Sequence, residues 1–288
     1  MEEGFINVGG KKLWYGVFNQ EKDGVPLLVV HGGPGFMTIT EGFEELADQR
    51  PVYFYDQLGC GKSEKADSID DYSIENYVEE LAAVLKELHL EEVILLGHSW
   101  GGGLVTKYYL DKQPSAVKKL VLLSPLLSSK VFKECSKINI QRMPQAFQET
   151  LERCTAAMDF GDEYQGNMFA FYKKYMSSLR PFPQRLMQAF ANMNEEVSGK
   201  LTGPSDLTML GPLKDFDLMP QLPLINIPVL LVGGDTDEVT VEEIRTYQLA
   251  IPNAQLAVIP HAGHVSHLDQ PAIFQLVVNT FLNQTQSS

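Results

Sequence analysis

The chain has 288 residues, 44% hydrophobic and 21% charged, which suits one large domain or one domain with an insertion. Its net charge of −14 argues against nucleic acid as a partner, because phosphate binding needs a basic surface. The acidic N-terminus lacks the apolar stretch of a signal peptide and no apolar run reaches the ~18 residues of a membrane helix, so we expect a cytoplasmic protein with no membrane partner.

The chain begins with a hairpin pattern and continues with short apolar runs. Alternating residues on both sides of Gly9-Gly10 predict two antiparallel strands. Apolar runs predict further strands at 26–30, 52–55, 93–96, 120–123, 228–232 and 256–259. Helical patterns lie between several of them, the clearest at 74–88. The alternation predicts an α/β fold, with a mainly parallel central sheet, helices on both faces and the hairpin at one edge.

This alternation stops between about residues 126 and 213. The stretches 134–158 and 167–193 have helical patterns and no clear strand. Because the run at 228–232 resumes the same sheet, an insertion explains the pattern better than a separate helical domain. We expect a core of residues 1–125 and 214–288 and an inserted helical cap of residues 126–213. The polar tail at 283–288 is expected to fray.

A Gly-x-Ser-x-Gly pattern, centred on Ser99, stands between a predicted strand and a predicted helix. This context is typical of a nucleophile elbow, a strained turn that exposes a serine. The flanking glycines, Gly97 and Gly101, let neighbouring backbone approach. Such a pattern also occurs in ordinary turns. The case for Ser99 as nucleophile therefore depends on a base, an acid and an oxyanion hole in the right order.

Three histidines, His261, His264 and His267, follow the last predicted strand. A serine nucleophile needs a base, and a loop at this place can reach across the carboxyl edge of the sheet. His264 follows Gly263 and stands in the middle of the loop, so it is the predicted base. His261 lies nearer the strand end, and His267 is placed at the turn into the final helix.

The predicted acid follows the strand at 228–232, where Asp235, Asp237 and Glu238 stand close together. Asp237 lies three residues past Gly234, in a turn with room to direct its carboxylate at the histidine loop. Asp235 is the alternative, although its side chain could instead bond the amides of the turn. The resulting order of nucleophile, acid and base is the one expected of an α/β-hydrolase.

Two backbone N–H groups are needed for the oxyanion hole, each contributing ~2.7–4 kcal/mol in measured cases. One should belong to Trp100, the residue after the predicted nucleophile. The other should come from the loop after an early strand, where His31-Gly32-Gly33-Pro34-Gly35 lies. Gly33 is the predicted donor, since proline has no N–H.

Two other patterns are set aside. Gly61-Lys62-Ser63 resembles a phosphate-binding loop, but Asp56 occupies the position where that motif requires glycine. Three cysteines with no C-x-x-C spacing predict neither a disulfide framework nor a zinc site, and Cys60 is interpreted as a packed turn residue. We expect no metal and no cofactor.

The assembled motifs resemble the proline iminopeptidase family of α/β-hydrolases. The resemblance spans nearly the full length and is weakest within residues 126–200. The matching pieces are HGGPG at 31–35, YDQLGCGKS at 55–63, GHSWGG at 97–102, GPSDLTMLGPLKDFD at 203–217, GGDTDEVT at 233–240 and AGHVSHLDQP at 262–271. The resemblance implies a capped α/β-hydrolase that releases N-terminal residues, often proline, from short peptides without a metal.

The resemblance also implies acidic residues that hold the free α-amine of the substrate. One follows the triad aspartate directly and corresponds to Glu238. Another lies in a GPNEF-like segment of the cap, where this chain has Asp206 in GPSDL. Aspartate is one methylene shorter than the glutamate of the family pattern. A cationic amine in a partly dry pocket needs a carboxylate partner.

The sequence thus predicts a serine aminopeptidase acting on short peptides or amides with a free N-terminus. The roles fall to Ser99, Asp237 and His264, with Gly33 and Trp100 at the oxyanion. An amino-acid amidase or broad aminopeptidase on the same scaffold is the nearest alternative, and a carboxylesterase that ignores the amine is the next. Phe36, Trp100 and residues of NMFAFYKKY could line the side-chain pocket or simply pack in the core. The sequence leaves the preferred N-terminal residue and the oligomeric state open.

Overall fold

The structure is a computed structural model that describes residues 1–284, so residues 285–288 of the predicted frayed tail lie outside the described residues. Within them, eight strands form one sheet in the order β1-β2-β4-β3-β5-β6-β7-β8. The strands are β1 (Glu2–Val8), β2 (Lys11–Phe18), β3 (Leu27–Val30), β4 (Val52–Tyr55), β5 (Val93–His98), β6 (Val117–Leu123), β7 (Val229–Gly234) and β8 (Gln255–Ile259).

The sheet is parallel from β4 to β8 across the central strands β3, β5, β6 and β7. Only the β1–β2 hairpin and its junction with β4 are antiparallel. Parallel strands direct their carboxyl ends to one edge, where the loops that follow them meet. The predicted fold class, including the hairpin at one edge, is confirmed.

Helices cover both faces of the sheet. The α-helices are α1 (Ile74–Glu87), α2 (Trp100–Lys112), α3 (Ser129–Gln141), α4 (Gln145–Ala157), α5 (Asp162–Tyr175), α6 (Gln184–Ala191), α7 (Glu195–Leu201), α8 (Val241–Ala250), α9 (Ser266–Asp269) and α10 (Pro271–Leu282). Short 3₁₀ turns occur at Glu44–Asp48, Ile69–Asp71, Pro212–Asp215 and Leu222–Leu224. Helices α1, α2 and α8 pack on one face and α10 packs on the other. No helix in residues 1–284 is long and apolar enough to cross a membrane.

Helix α1 illustrates how the local sequence sets the fold. It begins after Ser73, whose hydroxyl accepts a hydrogen bond from the N–H of Asn76 at 3.2 Å. Its apolar stripe then packs on the sheet, with Leu81 and Val84 fully buried. Each such side chain contributes about 1.5–3 kcal/mol by leaving water.

Five helices, α3 to α7, lie between β6 and β7, in the segment where the sequence shows no strand. Each of the two predicted helical stretches is divided between two helices. The first breaks at Pro144 and the second at Pro181 and Pro183, because proline cannot donate within a helix and restricts the residue before it. The exact bounds of the cap stay a prediction.

Candidate active site

Ser99 lies at the turn between the end of β5 and the start of α2. Its backbone has φ 55° and ψ −122°, a conformation that non-glycine residues rarely adopt and that costs on the order of 1–3 kcal/mol. The side chain is half-buried and lines a cavity at the carboxyl edge of the sheet. Its location and backbone strain are those of a nucleophile elbow.

The glycines of the elbow are required by close packing of backbone. A Cβ on Gly97 would lie 2.3 Å from the carbonyl oxygen of Gly101, and a Cβ on Gly101 would lie 2.2 Å from that of Val30. A Cβ on Gly32 would approach the Cβ of Ser99 to 2.9 Å. The strand end, the elbow and the loop after β3 can therefore meet only where side chains are missing.

His264 and Asp237 come together although 27 residues separate them in the chain. The imidazole Nδ1 lies 2.8 Å from Asp237 Oδ1. The carboxylate also accepts hydrogen bonds from the hydroxyl of Ser124 at 2.5 Å and from the N–H groups of Val239 at 2.9 Å and Gly234 at 3.3 Å. These donors hold Asp237 in the orientation that an imidazole-positioning acid requires.

The alternatives to these two residues lie elsewhere. Asp235 is exposed, and its Oδ1 accepts from the N–H of Ala262 at 3.2 Å, which is the turn role considered for it. His261 is also exposed, at a turn with φ 56°. His267 is buried within α9 and stacks on Phe43, with ring centroids 4.7 Å apart.

The helical segment fixes the position of the His264 loop. The N–H groups of His264 and Val265 donate to the carbonyls of Tyr175 at 2.9 Å and Met176 at 3.0 Å. A Cβ on Gly263 would lie 2.6 Å from the Tyr175 oxygen, so this approach requires glycine. Asn139 Nδ2 donates to the carbonyl of Asp237 at 2.8 Å, which ties the acid loop to α3.

The predicted oxyanion donors lie in the loop after β3 and at the start of α2. Gly33 lines the cavity, and Trp100 begins α2 directly after Ser99. Neither N–H has an acceptor within residues 1–284. Helix N-termini leave such groups free to bind an anion. The two N–H groups are thus available to a developing oxyanion.

A network behind these donors joins the two loops. Gln57 donates from its N–H to His31 Nε2 at 3.0 Å and from its Nε2 to the His31 carbonyl at 2.9 Å. Its Oε1 accepts from the indole N–H of Trp100 at 3.0 Å. His31 and Gln57 occur in the motifs HGGPG and YDQLGCGKS, and motif spacing predicts no role for either.

Glu238 and Asp206 line the cavity together with Ser99 and His264. Glu238 is 4% exposed, and its Oε1 lies 3.4 Å from His264 Nε2. Its Oε2 is buried without a hydrogen-bond partner in the described chain. Asp206 Oδ2 accepts a hydrogen bond from the hydroxyl of Tyr172 at 3.1 Å. Tyr172 was assigned no individual role from sequence, because no spacing rule joins α5 to residue 206.

Burial and the dense charge perturb this group of side chains. Burial raises the pKa values of Glu238 and Asp206, and the charged imidazole of His264 opposes both rises. Burial lowers the pKa of His264, but the carboxylates of Glu238, Asp237 and Asp206 together outweigh it and bring that pKa to about 9. An added cation beside these carboxylates would therefore be strongly favoured.

A second cavity adjoins the first, on the side of the helical segment. Gly33, Phe36, Met176 and Asp206 line both. From NMFAFYKKY, the residues Met168, Phe169 and Tyr172 line the second cavity. The Trp100 side chain lines neither. It is 1% exposed and packs against Tyr77 and Phe216. The side chain therefore packs in the core and does not line the side-chain pocket, the two roles considered for it.

The region set aside as a phosphate-binding decoy has a structural role. Asp56 accepts hydrogen bonds from the N–H groups of Thr38 and Lys62, both at 2.8 Å, and thereby closes its own loop. Cys60 is buried, 1% exposed. Among residues 1–284, no three His, Cys, Asp or Glu side chains are grouped to hold a metal ion.

Comparisons with known proteins agree with this fold. The family model of the alpha/beta hydrolase fold matches residues 25–271. The chain is 36% identical to a proline iminopeptidase of Heyndrickxia coagulans, covering 98% of each, and 28% identical to one of Saccharolobus solfataricus, covering 100% of the chain and 94% of the relative. The crystal structure of a Mycobacterium smegmatis proline iminopeptidase superposes with a TM-score of 0.88 at 29% identity, covering 98% of both chains.

The fold and the arrangement of the elbow are those of an α/β-hydrolase, and the chain belongs to that family. Within it, the identity to the curated relatives extends over essentially the whole length. The chain therefore belongs to the proline iminopeptidase family.

Proposed function

We propose that this protein is a serine aminopeptidase that releases an N-terminal residue, preferentially proline, from short peptides or amides through an acyl-enzyme. The observation that carries the proposal is the cavity in which Ser99, His264 and two carboxylates, Glu238 and Asp206, lie together. A hydrolase without an amine to bind has no need for two buried carboxylates beside its base. The proline preference is supported by the names of the relatives.

The chemistry proceeds in two halves. Ser99 Oγ attacks the carbonyl carbon of the first residue, and its proton passes to His264 Nε2. The N–H groups of Gly33 and Trp100 hold the resulting oxyanion. When the C–N bond breaks, His264 gives that proton to the leaving amine. Water, activated by His264, then attacks the acyl-enzyme, and the freed amino acid leaves with Ser99 restored.

Asp237 acts through His264. Its Oδ1 accepts from the Nδ1–H at 2.8 Å, which leaves Nε2 as the nitrogen that exchanges protons with Ser99. The negative charge also stabilises the imidazolium formed in each half-reaction. Because the carboxylate accepts three further hydrogen bonds, its position is fixed before substrate binds.

Glu238 and Asp206 bind the substrate's ammonium group and so position the first peptide bond over Ser99. A protonated proline nitrogen carries two N–H donors, one for each carboxylate. An acylated nitrogen has neither the charge nor the two donors. We further propose that the helical segment 126–213 acts as a cap that supplies Asp206 and closes the site to longer N-terminal extensions, in a cytoplasmic enzyme.

The test compares the β-naphthylamides of proline, alanine and leucine with N-acetyl-proline naphthylamide, prolinamide and p-nitrophenyl butyrate. Fast cleavage of the free prolyl amide with an inert acetylated analogue is expected, together with loss of at least about 10⁴-fold in Ser99→Ala. Full activity in that variant would rule out the mechanism. Fast ester cleavage with no dependence on a free amine would rule out the aminopeptidase and favour a carboxylesterase.

A further inference from the structure

Glu238 contacts the one nitrogen of His264 that the reaction needs. Its Oε1 lies 3.4 Å from Nε2, while Nδ1 is bonded to Asp237. Proton transfer from Ser99 requires a free lone pair on Nε2. Ser99 Oγ makes no hydrogen bond to His264 among the described residues. In the free protein Nε2 therefore has a carboxylate beside it and no hydrogen bond to the nucleophile among the described residues.

We propose that Glu238 holds His264 in a resting, protonated state, and that the substrate's ammonium group releases the base by taking that carboxylate for itself. The inference rests on the proposed function, in which Glu238 binds the amine. It adds that the amine has a second effect besides anchoring the substrate. A substrate that lacks the amine leaves the imidazole paired and the reaction slow.

The charges around the ring support this assignment. The carboxylates that face His264 come from the loop after β7 and from the helical segment, and they are Asp237, Glu238 and Asp206. These carboxylates outweigh burial and raise the pKa of His264 to about 9, so the protonated imidazole predominates at neutral pH. A cation bound between Glu238 and Asp206 offsets two of these three charges and lowers that pKa.

Burial shifts the pKa of each of the other titratable groups near the ring toward its neutral form. Burial lowers the pKa of His267 to about 3 and that of His98 well below its ordinary value. Burial likewise raises the pKa values of Glu243 and Tyr172. The protonation state of His264 therefore depends on the three carboxylates and on any cation that the cavity binds.

One oxygen of the Glu238 carboxylate offers a binding position for the substrate's ammonium group. Its Oε2 is buried and has no hydrogen-bond partner within residues 1–284, so the carboxylate has an acceptor position to offer. An unpaired buried acceptor is costly, and an ammonium N–H would satisfy it. Asn139 donates to the main-chain carbonyl of Glu238 at 3.3 Å. This hydrogen bond restrains the backbone of Glu238 and does not involve its carboxylate.

The experiment measures kcat and kcat/KM from pH 5 to 10 for p-nitrophenyl butyrate, which has no amine, and for prolyl β-naphthylamide. The variants are Glu238→Gln and the matched control Glu80→Gln, which replaces another buried glutamate, on α1, whose carboxylate accepts hydrogen bonds from the N–H of Leu58. In Glu238→Gln, ester hydrolysis at pH 7 should rise at least about tenfold as its acid limb moves to lower pH, while amide hydrolysis falls at least about tenfold. In Glu80→Gln, the ester and amide rates should both stay within about threefold of the wild type.

Ester hydrolysis that stays level or falls in Glu238→Gln, with an unmoved acid limb, would overturn the proposal. A wild-type protein that cleaves no prolyl amide would refute the aminopeptidase function, yet the ester profiles would still test the Glu238–His264 pair. NMR titration of His264 gives a direct reading, because its pKa should be lower in Glu238→Gln than in the wild type. Should that variant fail to fold, Glu238→Asp, which withdraws the charge by one methylene, should shift the ester profile the same way by a smaller amount.

Discussion

Gln57 and His31 are joined by two hydrogen bonds that fix both the position and the tautomer of the imidazole. The N–H of Gln57 donates to His31 Nε2 at 3.0 Å, so this nitrogen carries no proton. The proton is therefore on Nδ1, which donates to the Gly32 carbonyl at 2.8 Å. Because Gln57 also accepts from the Trp100 indole, one glutamine connects the loop carrying Gly33 to the elbow.

Gln57→Leu should therefore loosen the oxyanion site without touching the substrate. We expect kcat for prolyl β-naphthylamide to fall about tenfold to a hundredfold with little change in KM, since a displaced donor acts mainly in the transition state. Gln275→Leu is the control, because Gln275 is another buried glutamine, in α10, that donates to the Gly42 carbonyl. Equal losses of kcat in both variants would contradict the role assigned to Gln57.

Ser124→Ala should weaken the support of Asp237. The Ser124 hydroxyl donates to Asp237 Oδ2 at 2.5 Å, and hydrogen bonds to charged groups contribute about 1.5–3 kcal/mol. We expect kcat/KM to fall about tenfold. Ser129 is also buried but donates to the Leu213 carbonyl, so Ser129→Ala should change the melting temperature and leave kcat within about twofold. An unchanged kcat/KM in Ser124→Ala would show that the N–H groups of Gly234 and Val239 hold Asp237 in place without the hydroxyl.

Tyr172→Phe should raise KM for amine substrates, most strongly at low pH. The Tyr172 hydroxyl lowers the pKa of Asp206, opposing the rise that burial causes. Without it that pKa rises further, and the carboxylate is protonated at a higher pH than in the wild type. Plots of KM against pH should show the increase beginning at higher pH, with kcat changed less than about threefold.

Tyr164→Phe is the comparison for Tyr172→Phe. Tyr164 lies on the same helix, and its hydroxyl bonds to the hydroxyl of Ser205 and not to the Asp206 carboxylate. Its KM profile should follow that of the wild type. Coinciding profiles of the two variants would mean that the Tyr172 hydroxyl does not act on Asp206.

Gly97→Ala should destabilise the fold, because the new Cβ would lie 2.3 Å from the Gly101 oxygen. Overpacking of this kind costs typically 1–3 kcal/mol. The opposite sign is expected for Gly166→Ala, inside α5, where a Cβ would meet nothing within 4 Å. That substitution should stabilise the protein by about 0.5–1 kcal/mol. Urea unfolding of both variants measures the change in the free energy of unfolding, which should be a decrease for Gly97→Ala and an increase for Gly166→Ala. A Gly97→Ala variant as stable as the wild type would contradict the packing argument.

Some of these features could be predicted from sequence because parallel strands impose order. Short apolar runs located the strands, and the residues after each run had to meet at one edge. That reasoning chose Asp237 and His264, whose side chains lie 2.8 Å apart. Their catalytic roles, with those of Ser99, Gly33 and Trp100, stay predictions until the variants are assayed.

Other features could not be predicted from the sequence, because no periodic pattern of residues indicates them. The Tyr172–Asp206 hydrogen bond joins α5 to a loop 34 residues away, within a segment whose helices pack irregularly. The contact of Glu238 with Nε2 depends on side-chain direction at a turn, which neither spacing nor composition determines. The Trp100 side chain was ambiguous for the same reason, since a helix N-terminus leaves its direction to the surrounding packing.

The backbone bonds between the His264 loop and the end of α5 bear on how such an enzyme could be redesigned. A designer who wished to change substrate preference would first think of replacing residues 126–213 as a unit. The carbonyls of Tyr175 and Met176, however, belong to that segment and fix the loop that carries the base. A transplanted segment that moves these two carbonyls by even an ångström would carry the imidazole with it. Redesign is therefore better begun at individual side chains such as Phe36 or Phe169, with the backbone around residue 175 kept unchanged.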